Sequence, residues 1–540
     1  MVSRLSLVMF GFALAYSGLV FHLYGLQLTK GEYYFAQAAS QAVLDAPRGL
    51  IYFVDKTGTR VPAVSNKEFP QIYAVPKAIE DVQETVQALS GILGLPPEDL
   101  EKKLSKKDST YELLEKKTSF EIAGRVGDLK MKGVYVDAAS DRFYPFGRIA
   151  AHVLGYVGPN KNDLSEGGHY GLEEYYQAEL AGKKGSQEGG KVVPPEAGEN
   201  IVLTIDTNIQ AEAEKILAQA LADHRAKGGS VIVEDPKTGK ILAMGSVPNF
   251  DPNAYSDARI ADFLNPATQK VYEPGSVFKV ITMAAGIDAG KITPDTKFYD
   301  TGSLKLNGKE IKNWDLKAHG TVTMTQVIEK SLNTGAAFAQ RQTGDAIFRS
   351  YVAKFGFGEK TGIDAPGEVS GNVRVMEKKD APPIAFAAAS FGQGISVTPL
   401  GIINAIAAIA NGGTLMRPYV NSELGQKEIR RVISADTARA VTGMMTSAVD
   451  KAEVAKIKGY AIAGKTGTAQ VPDFVRGGYT EQVNHTYIGF GPTSNPRFII
   501  LLKLNEPEGA PLAGTTVVPA FRDLAQFILN YYNVAPDRAE

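Results

Sequence analysis

The run from Val277 to Ala289 is apolar nearly all round, yet it carries a lysine, Lys279, set among Val277, Phe278, Val280 and Ile281. A helix that is hydrophobic on every side belongs inside a fold, with other elements packed around it. A lysine there is out of place, because ammonium groups are almost never fully buried unless they are partnered. The chain must therefore build a layered domain around this helix and provide polar company at its lysine end. Tyr272-Glu273-Pro274-Gly275-Ser276 leads into it, and the Pro-Gly pair halts the preceding chain. Ser276 then falls at the helix N-terminus, where free N–H groups and the positive dipole end stabilise a developing anion. Lys279, three residues on, shares its face, so the amine can reach the hydroxyl. To serve as a base it must be shifted well below the ordinary lysine pKa of about 10.4, and burial beside a second cation is the usual means. An isolated S-x-x-K is more often an N-cap followed by a surface lysine. Here Ser276 is the only serine in the chain with a lysine three residues later, and that lysine sits in an apolar setting.

The flanking sequence indicates the layers. Residues 181–199 are rich in Gly, Pro and Lys and read as the main domain boundary. Past it, Ile201 to Thr204 reads as a strand, and Asp206 or Thr207 caps a helix expected to run to about Ala226 with Ile209, Ala213, Ile216, Leu217, Ala220 and Leu221 on one face. A hairpin follows, from Ser230 to Glu234 and Ile241 to Met244. A second hairpin, Thr486 to Phe490 and Phe498 to Leu504, precedes a final helix from about Ala520 to Tyr531. Strands at both ends around a mostly helical middle predict an α+β fold, an antiparallel sheet with helices packed on it. Before the boundary, Arg48 to Phe53 reads as a strand entering the turn Asp55-Lys56-Thr57-Gly58, and residues 77–130 read as surface helices.

At 540 residues the chain exceeds one compact domain. Its 58 basic and 59 acidic residues offer no general attraction for nucleic acid. It has no cysteine, which excludes thiolate nucleophiles and Cys-ligated zinc, and no two of its six histidines share a helix face at metal-ligand spacing. No metal site and no cofactor are expected. From Leu5 to Leu28 the chain is largely apolar, with no charge between Arg4 and Lys30. About twenty such residues span a bilayer, so a single transmembrane anchor at 5–28 is expected, behind a cytoplasmic leader at 1–4. A cleaved signal peptide is disfavoured, because Ala13-Leu14-Ala15 lies inside the apolar run.

Two further motifs carry potential chemistry. Ser331-Leu332-Asn333 closes a helical run that starts near Val322, offering a hydroxyl to relay a proton and an amide to hold a carbonyl; helix-end capping is the plainer alternative. Ser370-Gly371-Asn372 has the same spacing in a sequence that reads as a turn. Lys-Thr-Gly occurs four times. The copies at Lys56, Lys237 and Lys360 read as turns, whereas Lys465-Thr466-Gly467-Thr468 runs from one extended stretch into another, where a lysine and two hydroxyls could bind a carboxylate.

Ser276-x-x-Lys279, Ser331-x-Asn333 and Lys465-Thr466-Gly467, in that order, resemble the active-site motifs of penicillin-binding proteins and serine β-lactamases. Arg48-Gly49, Arg142-Phe-Tyr-Pro145, Ala151-His-Val-Leu-Gly155, Gly171-Leu-Glu173, Thr204-Ile-Asp206 and Ser390-Phe-Gly-Gln-Gly-Ile395 resemble class B penicillin-binding proteins in particular. Ser390-Phe-Gly-Gln-Gly, Ala469-Gln470 and the Asn533-Val-Ala-Pro-Asp ending are closer to the division-type, septal branch. The resemblance covers nearly the whole chain. It implies an anchor, an elongated mixed α/β pedestal (the dimerisation-type domain) over 29–195, and a transpeptidase domain over 196–540 with a five-stranded antiparallel sheet flanked by helices. It implies a peptidoglycan D,D-transpeptidase held outside the bacterial inner membrane. Ser276 would be the nucleophile and Lys279 its base, with Ser331, Asn333 and Lys465 also catalytic. Thr466, Gly467 and Thr468 would bind substrate, and the backbone N–H groups of Ser276 and Thr468 would form the oxyanion hole. Implied partners are D-Ala–D-Ala stem peptides, β-lactams as inhibitors, a SEDS-type membrane glycosyltransferase and other division proteins. An elongation-type transpeptidase, a D,D-carboxypeptidase, a β-lactamase or β-lactam sensor share the motifs, and a non-catalytic division scaffold is the alternative of a different class. A scaffold has no need of a buried lysine.

Overall fold

The computed structural model describes residues 4–24, 46–160, 165–188, 191–378, 380–473 and 475–539. They fall into two units, Met1–Leu50 with Ala178–Asn200, and Ile51–Gln177 with Ile201–Glu540.

In the first unit a helix spans Arg4–Tyr24. Among the described residues no helix is long and apolar enough to cross a membrane, and residues 25–28 of the span expected at 5–28 lie outside them. Gly11, Ser17, Gly18 and His22 dilute the hydropathy of the described helix. The Gly-rich segment beyond Ala178 contains a small hairpin, Ser186–Glu188 with Lys191–Val193. Gly49 explains the Arg-Gly pair: its N–H donates to Leu180 O at 2.8 Å, and a Cβ there would lie 1.9 Å from Glu199 O.

The second unit contains two five-stranded sheets. In one, neighbours run Ile241–Val247, Gly228–Glu234, Phe498–Asn505, Tyr479–Gly491 and Ala463–Pro472, every pair antiparallel. This is the sheet the sequence predicts. Every residue of Gly228–Glu234 is buried, because helices cover both faces rather than the one face common in antiparallel sheets. On one side the helices Thr207–Asp223 and Val517–Tyr531 bring Leu217, Phe521, Leu524 and Ile528 against Val231, Val233, Ile500 and Leu502. On the other side lies Pro399–Ala410, whose sequence is almost wholly apolar. The Lys279–Asp288 helix packs among Asn333–Thr343, Asp345–Lys354 and Ala435–Ala452, with Lys279 through Gly286 all buried. Asp206 caps the Thr207 helix by accepting from the N–H groups of Asn208 and Ile209. That helix ends at Asp223, short of the expected Ala226, because Arg225 turns left-handed at φ 44°. The middle of the chain is less helical than expected. It holds the hairpin Ser303–Leu306 with Lys309–Lys312, turned by Asn307 and Gly308 at positive φ.

The other sheet is built on the long strand Arg60–Ala74, which pairs antiparallel with Ile51–Val54, Glu112–Glu115 and Val134–Phe143. Ile51–Val54 pairs in parallel with Ile201–Asp206. The helices Val82–Leu93, Pro97–Leu104 and Phe120–Asp128 bury one stripe each, Val86, Leu89, Leu100, Leu104 and Val126 closing over Ile72. Arg142 and Glu173, far apart in sequence, meet in a buried pair at 2.7 Å with side chains 3% and 0% exposed. Removing one partner of such a pair strands the other charge. Glu173→Ala should lower unfolding free energy by about 3 kcal/mol, measured by urea denaturation; a change within experimental scatter would show that the pair is not structural.

Candidate active site

The chain reaches Ser276 through a tight turn. Gly275 takes φ +59°, residues Gly275–Phe278 form a single 3-10 turn, and the α-helix proper begins at Lys279. Ser276 therefore sits in the turn ahead of the α-helix. Lys279 has no solvent exposure, and its Nζ is 3.0 Å from Ser276 Oγ, 2.6 Å from Ser331 O and 3.2 Å from Ser331 Oγ. All three neighbours are neutral oxygens. Burial, reinforced by the Lys465 charge, holds the Lys279 ammonium well below the usual lysine range. A neutral amine beside a serine hydroxyl is the condition for general-base activation.

Ser331 is delivered by an irregular junction. The helix Met324–Lys330, opened by a Thr323–Gln326 capping box, ends at Ser331 in the left-handed conformation, φ 56° and ψ 44°, and the next helix begins at Asn333. A non-glycine residue held there stores about 1–3 kcal/mol of backbone strain. Ser331 remains there because Lys279 donates to its carbonyl, while Lys465 Nζ donates to its Oγ at 3.0 Å. A buried polar cluster supports the junction from below. Asp300 accepts from Thr334 Oγ1 at 2.7 Å and Asn313 Nδ2 at 2.8 Å, and Asn313 in turn accepts from Thr334 N–H. The loop after the hairpin brackets it from above, with Trp314 Nε1 donating to Lys330 O and Asn333 Nδ2 donating to Lys312 O.

Lys465 lies on Ala463–Pro472, the edge strand of the sheet. It is 3% exposed, and burial pushes its ammonium down to about 7. Its Nζ also donates to Thr466 O at 2.9 Å and lies 3.4 Å from Thr466 Oγ1. Gly467 has a steric reason to be glycine, since a Cβ would approach Pro274 O at 2.9 Å and Val277 Cγ1 at 3.2 Å. Its absence lets the edge strand close on the Ser276 turn.

Of the residues singled out by sequence, Ser276, Lys279, Ser331, Lys465 and Thr466 form one connected cluster. Asn333 flanks it, tied to Lys312. Thr468 lies farther along the strand, where its Oγ1 accepts from Ala513 N–H at 3.3 Å. Gly275 and Thr468 come close across the cleft, a Cβ on Gly275 standing 3.2 Å from Thr468 O. The other Lys-Thr-Gly copies lie elsewhere. Those at Lys56 and Lys237 are turns between strands, and Thr361 of the third donates to Glu368.

Sequence reasoning missed the supports. Asp300, Asn313 and Trp314 flank the hairpin in a region expected to be mostly helical, and Thr334 lies at the start of the helix Asn333–Thr343. Glu273 was noted only as part of the turn, yet it accepts from Gly394 N–H at 3.1 Å and from Tyr479 Oη–H at 3.1 Å. Gly392 packs on the Ser276 turn, accepting from Gly275 N–H at 3.1 Å; a Cβ on Gly392 would lie 2.2 Å from Gly275 O. The Ser390-Phe-Gly-Gln-Gly segment was quoted for resemblance alone, but its two glycines were the available signal for such a close approach.

Residues 229–526 match the family described as the penicillin binding protein transpeptidase domain, and residues 43–203 match the penicillin-binding protein dimerisation domain. The chain is 32% identical over 517 residues to stage V sporulation protein D of Bacillus subtilis, covering 89% of this chain and 78% of that protein. It is 29% identical over 515 residues to the peptidoglycan D,D-transpeptidase FtsI of Escherichia coli, covering 91% and 84% respectively. The crystal structure of penicillin binding protein 2X from Streptococcus thermophilus shares the fold, with TM-score 0.73 at 22% identity over 92% of this chain and 81% of that one. With both domains matched and the two lysines and two serines of the motifs gathered at one edge of the sheet, the chain belongs to the class B penicillin-binding proteins.

Proposed function

We propose that this protein is a peptidoglycan D,D-transpeptidase that acts through an acyl-enzyme on Ser276. The observation that carries the reading is the position of Lys279, wholly buried and 3.0 Å from Ser276 Oγ. Ser276 Oγ attacks the carbonyl carbon of the penultimate D-Ala of a stem peptide, and its proton passes to the Lys279 amine. The charge gathering on the carbonyl oxygen is met by the backbone N–H groups of Ser276 and Thr468, each worth about 3–4 kcal/mol in such a site. As the peptide C–N bond breaks, Ser331 Oγ, hydrogen-bonded to both lysines, passes a proton to the departing D-Ala amine. The amine of a second stem peptide then attacks the ester, forming the cross-link and restoring Ser276. Asn333 orients the donor peptide, and Lys465 with Thr466 and Thr468 holds its terminal carboxylate. β-Lactams, whose ring carbonyl meets the same serine, acylate it and stay.

The proposed division of the chain is a leader at 1–4, an anchor at 5–28, a pedestal at 29–195 and a transpeptidase domain at 196–540. The charge-free stretch between Arg4 and Lys30 supports single-pass anchoring in the bacterial inner membrane with the catalytic domain outside. The septal role is supported by the Ser390-Phe-Gly-Gln-Gly segment and by similarity to FtsI. The matched regions are a dimerisation and a transpeptidase domain, so strand polymerisation is assigned to a SEDS-type partner within the division apparatus.

The test is labelling with a fluorescent penicillin followed by mass mapping of the adduct. The adduct should sit on Ser276 and be absent from Ser276→Ala and Lys279→Ala; label elsewhere, or none in the native chain, would overturn the reading. An adduct released within seconds would place the protein with the β-lactamases.

The lysine shifts predict the pH profile. Lys279 must lose its proton to act as base, so acylation rises with pH through the titration of Lys279. Binding of the carboxylate also needs the Lys465 charge, which is lost as pH rises through about 7 in the free enzyme. Because Lys465 helps depress Lys279, Lys465→Ala should move the rising limb to higher pH in stopped-flow acylation at fixed ionic strength.

Ser331→Gly separates strain from chemistry. It relieves a left-handed backbone and removes the proton relay. The variant should melt at or above the native midpoint while cross-linking turnover falls by about 100-fold or more.

A further inference from the structure

A second cationic site lies apart from the acyl-transfer cluster. A cavity of about 270 Å³ opens on the sheet face, with Ser230, Asn484 and Lys503 in its floor and Tyr272 and Lys270 in its wall. The floor follows from register, since Lys503 is the central residue between Ser230 and Thr486, and Asn484 opposes Asn505. Its volume equals about nine waters' share of the liquid, enough for a small ion with part of its hydration. Lys503 is 8% exposed, on a strand whose residues before it are all Ile, Leu or Phe. Its Nζ lies 4.6 Å from the centre of the Tyr272 ring and donates to Asn505 Oδ1.

The charge around this lysine does not balance. Three lysines line the cavity, Lys227, Lys270 and Lys503, against one carboxylate, Glu506, which Lys227 already holds at 2.6 Å. Burial, and then the repulsion from the exposed Lys270, push the Lys503 ammonium down to about 7 against the opposing pull of Glu506. A buried ammonium has three donors to satisfy, and Lys503 spends one on Asn505. Neither packing nor an ion pair accounts for a lysine here, where a Leu or Met would fill the strand position without desolvation cost. An oxyanion between Lys503 and Lys270 would take the spare donors and cancel the repulsion, with Asn484 offering an amide from the floor.

We propose that this cavity is a binding site for a small oxyanion, a phosphate or carboxylate group, held between Lys503 and Lys270. The proposal is independent of the reaction at Ser276, since no residue of the cavity belongs to the acyl-transfer cluster. Occupancy engages the ammonium that covers the ring of Tyr272, four residues before the nucleophile.

The full-length protein is titrated with inorganic phosphate and, separately, with succinate at about pH 6, where Lys503 is charged, with ionic strength held constant by chloride. Thermal midpoint and phosphorus NMR line width are followed. A site with Kd of about 1 mM should raise the midpoint by about 2 °C at tenfold excess. Lys270→Gln, a change at an exposed position, should reduce that rise at least twofold, and Lys503→Met should abolish it. Lys215→Gln, on the exposed face of the helix that covers the opposite side of the sheet, should leave it intact. Stronger stabilisation by phosphate identifies a phosphate site, and stronger stabilisation by succinate a carboxylate site. If neither ion stabilises the native chain more than Lys270→Gln, the proposal is wrong; this comparison holds even if Lys503→Met does not fold. Penicillin labelling of Ser276 in Lys270→Gln separates failure here from failure of the transpeptidase reading.

Discussion

The site depends on one desolvated ammonium. Lys279 is the first residue of an α-helix whose next seven residues are also buried, and its donors meet only serine oxygens. In that environment the charged form is disfavoured, and the presence of Lys465 one hydroxyl away disfavours it further. The same hydrogen bonds hold Ser331 in its left-handed conformation, so electrostatics and backbone strain are parts of one arrangement. The helix must be central to the domain for this to work. An amphipathic helix at the surface would leave Lys279 solvated and protonated at neutral pH, a good ion-pair partner and a poor base.

Around that helix the fold supplies three rigid edges. Gly275 and Gly392 bring the Ser276 turn against the chain that follows Pro383–Ala389, Gly467 brings the edge strand against the turn, and Asp300 locks Asn313 and Thr334 beneath Ser331. At Gly392 and Gly467 a methyl group would meet backbone oxygen within 3 Å. Such approaches are tolerant of almost no substitution, which is how a site gathered from distant segments keeps its geometry in a chain with no cysteine to form a disulfide.

Much of this was legible in the sequence, for identifiable reasons. The paired hairpins with helices at either end specify the covered antiparallel sheet, because period-2 runs and a capped, periodic helix are strong local signals. Lys279 stands out because it breaks an apolar run, and Lys465 because its copy of Lys-Thr-Gly alone reads as part of an extended stretch rather than as a turn. The supports were less visible. Asp300, Asn313 and Thr334 converge from three elements, and nothing local to any of them marks the meeting. The hairpin at Asn307-Gly308 did carry a local signal, a two-residue turn between alternating Leu304, Leu306 and Ile311, and was overlooked beside the helical runs that follow it.

The central claim is that Lys279 is neutral at the pH where Ser276 reacts, and the most direct measurement is its titration in the free protein. With lysines labelled by nitrogen-15 at Nζ, the resonance missing from Lys279→Ala identifies the group. The account predicts that this resonance titrates well below the ordinary lysine value of about 10.4. A titration at the ordinary value would mean a protonated Lys279 at neutral pH, and would contradict its role as the base.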